Sequence, residues 1–141
     1  MNSPIDIERF TESDRDGVIA LWNIVFPEEP GHNIPSDMIS RKQAVQPELF
    51  FVARQRGQVV GTVMAGNDGV RGWVHKLAVH PDLRRQGLAS KLMHRAEAAL
   101  KASGCPKLNL QVRATNAGVV KFYESLGYAV EERVSLGKPL D

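Results

Sequence analysis

Apolar and polar positions alternate with a period of two through residues 3–10, "SPIDIERF", which predicts a first strand. The period then lengthens. Val18, Leu21, Trp22 and Val25 recur at helical spacing across 14–26, and Pro27 with the "PEEPGHNIP" stretch ends that helix in a loop. A second, shorter helix is expected over 36–45, with Ser36 as its cap. "LFFVARQRGQVVGTVMAG", residues 49–66, reads as a hairpin turning at Arg56-Gly57. After the turn "NDGVRG", "WVHKLAVH" at 73–80 predicts another strand, closed by Pro81. The strongest helical pattern covers 87–102, where Leu88, Leu92, Ala96, Ala99 and Leu100 form one apolar stripe and Glu97 with Lys101 makes a favourable i,i+4 pair. "SGCP" stops it. "KLNLQVRA" predicts a strand with Leu108, Leu110 and Val112 inward. "TNAGVVKFYESLG" predicts a helix ended by Gly127, and "YAVEERVSL" a last strand. A meander followed by strand–helix–strand units predicts a mixed α/β (α+β) sheet with helices on its faces, and 1–141 is expected to be a single domain.

Composition narrows the setting. A formal net charge of +2 is too small for a nucleic-acid binder, so an anion site has to come from local placement. Cys105 is the sole cysteine, which permits no internal disulfide and no zinc cluster. No metal-ligand spacing emerges among the histidines. "MNSPIDIERF" lacks a signal-peptide pattern and no apolar run approaches ~20 residues, so the expected setting is cytoplasmic, away from membranes.

The stretch "HPDLRRQGLASKL" concentrates candidate chemistry. The first turn of a helix leaves backbone N–H groups without partners, and these bind phosphate well. Gly87, lacking Cβ, allows a large anion close to the backbone, and Ala89 keeps the next approach small. Arg84 and Arg85 add mobile positive charge. The arrangement suits a pyrophosphate. The Walker pattern is absent, and Gly66, Gly69 and Gly72 do not make a GxGxxG motif.

At "VHKLAVHPDLRRQGLASKLM" the chain resembles the GNAT family of N-acetyltransferases, whose pattern [QR]-x-x-G-x-[GA] is met by Arg84, Gly87 and Ala89. "NAGVVKFYESLGY" is similar to the second family signature, an Asn-initiated helix with a Tyr and a closing Leu-Gly-aromatic. The resemblance covers nearly the whole chain. It implies a largely antiparallel sheet with a splayed strand pair, and acetyl-coenzyme A as cosubstrate. The backbone of Leu77, Ala78 and Val79 would pair with the pantetheine arm. The amides of Arg85, Gln86, Gly87, Leu88, Ala89 and Ser90 would hold the pyrophosphate. Asn116 would contact the cofactor arm, and Tyr123 would stand near the thioester sulfur.

Acetyl transfer to nitrogen needs a neutral amine. A lysine-like amine is neutral in only ~1 molecule in 2500 at pH 7, and an α-amine in roughly one in eight. His75 is the first candidate base; an ordinary histidine near ~6.5 is suited to take a proton at neutral pH, and alternation puts it on the face of Leu77. Some family members place a glutamate two residues earlier, where this chain has Trp73. Glu28 or Glu29, acting through water, is the second candidate, and with Asp37 they suggest a cationic acceptor. Tyr123 would stabilise the leaving thiolate, and it also belongs to an apolar stripe with Val119, Phe122 and Leu126. Cys105 lies away from both motifs, which favours direct attack on the thioester in a ternary complex over an acetyl-enzyme. The acceptor would be a small-molecule or peptide amine, and the chain is compatible with a homodimer. Two other readings stand beside this one: a non-catalytic acyl-coenzyme A sensor or scaffold, and a nucleotide binder using the same helix start.

Overall fold

Phe50, Phe51, Val52 and Ala53 are all removed from solvent, which is why "FFVA" reads as an unbroken apolar run: this strand has a core on each side. The computed structural model describes residues 3–27 and 33–140. Among them, β1 (Ile5–Arg9), β2 (Phe50–Gln55), β3 (Gln58–Asn67), β4 (Gly72–Val79) and β5 (Leu108–Asn109) form a sheet in that order. The first four pair antiparallel, and β5 joins β4 in parallel. The β2–β3 turn falls at Arg56-Gly57, both with positive φ (53° and 75°), the twist-matched geometry of a tight hairpin.

The helices α1 (Arg15–Val25) and α2 (Pro35–Ala44) cover one face. Val18, Leu21, Trp22 and Ile39 meet Phe10, Phe50 and Val52 there, with the Phe10 and Phe50 rings stacked 4.6 Å apart. On the opposite face α3 (Leu88–Ala102) buries Leu88, Leu92, Met93, Ala96 and Leu100, the predicted stripe with Met93 added and Ala99 only half-buried. The two elements lie so close that a Cβ at Gly61 would stand 3.0 Å from the Leu92 side chain.

Three expectations are corrected. α2 begins at Pro35 with Ile34 at its N-cap, so Ser36 lies inside the helix. Its carbonyl and hydroxyl instead receive Arg15 Nη1 at 3.0 and 3.2 Å, tying α2 to α1. The strand expected from "KLNLQVRA" is only β5, and residues 128–136 form no regular element. Alternation records a preference, but a strand also needs a neighbour's row of N–H and C=O groups. β5 finds that row only along Gly72 and Trp73.

The chain divides into two units, the first ending at Leu110 and the second beginning at Gln111. The second holds α4 (Ala117–Ser125). Asn116 caps it by accepting the Val119 N–H at 3.3 Å, and Gly127 closes it with φ 96°. Tyr123 is buried in this unit, meeting Phe122 and Tyr128 edge-on at 5.1 and 5.7 Å.

One buried charge anchors the first unit. Arg54 donates from Nε and Nη2 to the two oxygens of Asp14 at 2.8 and 2.7 Å, and Asp14 also accepts the Thr11 amide at the head of α1. Burial alone would raise the Asp14 pKa; the Arg54 and Thr11 hydrogen bonds and the Arg54 charge bring it below the ordinary aspartate value. Arg54→Ala leaves that carboxylate without its cation and is expected to destabilise the fold by about 2 kcal/mol, below the range for fully buried pairs because Arg54 is partly exposed. Because the Asp14 pKa is depressed on folding, the stabilisation is present above the unfolded aspartate pKa and is lost as pH falls through the folded one. Urea unfolding of wild type and variant from pH 7 down to 3 checks both statements: the difference should shrink with acidification.

Candidate active site

β4 is paired on one side along its length but on the other only at Gly72 and Trp73. Beyond Trp73 no strand of the described residues pairs with the β5-side edge, so that edge at Leu77, Ala78 and Val79 has no ladder partner among them.

The same strand carries a bulge that alternation concealed. Thr62 pairs with Ala78, while Met64 pairs with His75, so two steps along β3 span three along β4. Lys76 takes up the extra residue with φ 54°, a conformation that costs a non-glycine residue of order 1 kcal/mol. A buried relay holds it there. Thr62, fully buried, donates its hydroxyl to the Lys76 carbonyl at 2.8 Å and accepts Trp22 Nε1 at 2.9 Å. The expectation that His75 shares a face with Leu77 is therefore corrected: His75 stands on the α1–α2 side with Ala78, because the inserted residue resets the alternation.

After β4 the chain turns through Pro81–Leu83, with His80 Nδ1 accepting the Asp82 amide at 3.1 Å. Arg84, Arg85, Gln86 and Gly87 follow, all exposed. Arg85 and Gly87 both have positive φ (64° and 79°), and Gly87 is the N-cap of α3, whose first-turn amides lack intrahelical partners. A Cβ at Gly87 would meet nothing within 4 Å, so the space beside its Cα is open. Leu88 is buried and anchors the first turn, while Ala89 and Ser90 are half-buried behind it.

On the α1–α2 face a cleft of about 400 Å³ opens between α2 and the β3–β4 hairpin. Met38, Met64, Val45 and Trp73 line its apolar walls; Arg41, Lys42, Gln46 and His75 supply polar ones. His75 is exposed at the wall, yet dehydration by its surroundings and the charges of Lys42 and Lys76 hold its pKa below the ordinary histidine value. It is therefore neutral, and able to accept a proton, at pH 7. Lys76 itself lies over the Phe26 and Trp22 rings at 4.3 and 5.6 Å.

The predicted residues sort accordingly. The first unit brings together His75, the open edge at Leu77–Val79 and the Arg84–Ser90 turn, all on or just after β4. Asn116 and Tyr123 stand in the second unit, on α4. Burial pushes the Tyr123 phenol up to about 12. Glu28 and Glu29 lie outside the described residues. Asp37 is exposed on the first turn of α2 and does not line the cleft. Sequence reasoning missed Lys42 and the Trp22–Thr62 relay. The bulge did leave a trace: in "WVHKLAV" two polar residues and then three apolar ones interrupt the alternation.

Comparison with known proteins adds an independent line. The model of the acetyltransferase (GNAT) family matches residues 17–128. An acetyltransferase of Yersinia enterocolitica is 45% identical over 96% of both chains. Among solved structures, Ard1 from Thermoplasma volcanium superimposes with a TM-score of 0.80 at 23% identity, covering 90% of this chain and 84% of that one. An aminoglycoside N-acetyltransferase, AAC(6')-Iy in complex with CoA, gives 0.80 at 19% identity over 99% and 97%. At these identities the two structures speak for the fold.

Proposed function

The chain belongs to the acetyltransferase (GNAT) family, with acetyl-coenzyme A as cosubstrate, and on that premise we propose that it transfers the acetyl group to a primary amine by direct attack in a ternary complex. The observation that carries the reading is a coincidence of place. The β4 edge without a ladder partner among the described residues leads into the turn where Arg85 and Gly87 take positive φ at the start of α3. An extended amide-bearing arm ending in a diphosphate needs those two features in that order. The family match crosses the boundary between the two units, which supports both acting as one acetyltransferase domain.

Acetyl-coenzyme A supplies the activated acyl group; the chain supplies placement and proton handling. Leu77, Ala78 and Val79 offer backbone partners to the arm, and the amides from Arg85 to Ser90 face the diphosphate, with Arg84 and Arg85 adding charge. Asn116 already spends its side-chain oxygen on capping α4, which leaves its amide N–H groups for the arm. His75 takes the proton from the attacking amine. Tyr123 donates a hydrogen bond to the departing sulfur.

The test is release of coenzyme A thiol across a panel of small amines and peptides. Tight binding without turnover on a broad panel would make the chain an acyl-coenzyme A binding module instead. With an accepted amine, kcat/KM should show an acid limb with an apparent pKa below about 6.5, since the His75 shift is downward. His75→Gln should flatten that limb and lower kcat at least ~10-fold. A limb unchanged in the variant would assign the base elsewhere.

A further inference from the structure

A fully buried hydroxyl in the middle of an apolar strand calls for a reason. Thr62 stands on β3 between Val60 and Gly61 on one side and Val63, Met64 and Ala65 on the other, all buried. Valine has nearly the same shape, suits a strand as well and brings no polar atom to bury, so the hydroxyl is what sets this residue apart. Both of its neighbours have fixed polarity. An indole N–H can only donate, and a backbone carbonyl can only accept. With Trp22 Nε1 at 2.9 Å, the hydroxyl takes that proton on a lone pair and commits its own to the Lys76 carbonyl at 2.8 Å.

What this bond holds is unusual in its place. Among the described non-glycine residues with positive φ, Gln46, Arg56 and Arg85 lie between regular elements, whereas Lys76 lies inside β4. It is gripped at both ends. Trp22 reaches its carbonyl through Thr62, and its ammonium lies over the Trp22 and Phe26 rings. Lys76 is also the one residue between His75 and the β4 edge that begins at Leu77. Its φ therefore sets where the imidazole stands relative to that edge. Around the imidazole are Arg41 and Lys42 from α2, Lys76 from β4 itself and Asp68 from the turn after β3.

We propose that Thr62, oriented by Trp22, is a positioning residue: by holding the Lys76 carbonyl it fixes His75 relative to a thioester arm lying along Leu77, Ala78 and Val79. This rests on the acetyl-transfer reading above. Thr62 acts through Lys76 and needs no contact with either substrate.

Thr62→Val keeps the shape and removes the hydroxyl. With an accepted amine it should lower kcat at least ~10-fold and leave KM for acetyl-coenzyme A within about twofold, since the Arg84–Ser90 turn is untouched. The acid limb of kcat/KM should move up toward the ordinary histidine value, as the imidazole leaves the surroundings that depress it. Thr62→Ser keeps both bonds and should restore rate and limb. A kcat unchanged by Thr62→Val, or lowered with no movement of the limb, would overturn the proposal. Glycine holds a φ of 54° unaided, so in a Lys76→Gly background Thr62→Val should cost under ~3-fold in kcat. That comparison decides the matter where Thr62→Val alone does not fold; an undiminished cost, or a double variant that does not fold, counts against the proposal. NMR titration of the His75 imidazole in the free protein separates all this from failure of acetyl transfer. If no amine is turned over, the acetyl-transfer reading falls and the titration alone decides the role of Thr62. An upward move in Thr62→Val, reversed in Thr62→Ser, supports the positioning of His75; an unmoved titration refutes it.

Discussion

Gly87→Glu is expected to abolish acetyl-coenzyme A binding while the protein stays folded. Gly87 has φ 79°, and a Cβ there would meet nothing within 4 Å. The fold therefore suffers only the strain of a side chain in the left-handed region, about 1 kcal/mol. Binding suffers far more. The new carboxylate would sit in front of the amides at the start of α3, where the diphosphate belongs, filling its space and opposing its charge. Like charges about 4 Å apart near a protein surface repel by ~4 kcal/mol. A loss of at least ~100-fold in affinity is expected, corresponding to ~2.7 kcal/mol. Gly87→Ala separates the two causes, because it shares the strain without the charge and should lose under ~10-fold. Calorimetry with acetyl-coenzyme A, alongside thermal unfolding of each variant, reads both quantities. Undiminished affinity in Gly87→Glu would move the phosphate site away from this turn, and the cofactor assignment of Arg84 to Ser90 with it.

Tyr123→Phe is expected to lower kcat about 100-fold, with little change in KM for acetyl-coenzyme A, within the range for loss of one positioned proton-handling or donor group. The ring stays, so its contacts with Phe122 and Tyr128 stay, and the melting temperature should hardly move. The phenol is pushed up to about 12, against ~8.5 for a free thiol, so handing over its proton completely would be uphill by roughly 5 kcal/mol. Donating a hydrogen bond to the charge growing on sulfur has no such cost. The same shift predicts that no alkaline limb of activity below pH 10 belongs to Tyr123. Rates measured from pH 6 to 10 on both proteins check this: the variant should run parallel to wild type, displaced downward. A variant as fast as wild type would leave Tyr123 as a packing residue of α4.

Much of the molecule was legible in the chain because its signals are local. A period of two or of 3.6 is written in neighbouring residues, so β1, the β2–β3 hairpin, α1, α3 and α4 appear within a residue or two of their predicted places. The start of α3 was equally legible, since the amides of a first turn and a glycine at positive φ need nothing from the rest of the chain. Residue order alone thus determined the family pattern and the candidate diphosphate turn. Tertiary structure decided what depends on register. Trp22, from α1, holds Thr62 on β3, which holds the Lys76 carbonyl, and that relay turns His75 onto the face of the cleft. Tertiary structure also decided how short β5 is and which charges line the cleft. Lys42 is an ordinary surface letter in a sequence; only the packing of α2 against the hairpin dehydrates it. The reason is that pairing and desolvation are relations between distant residues, and no window along the chain contains both partners.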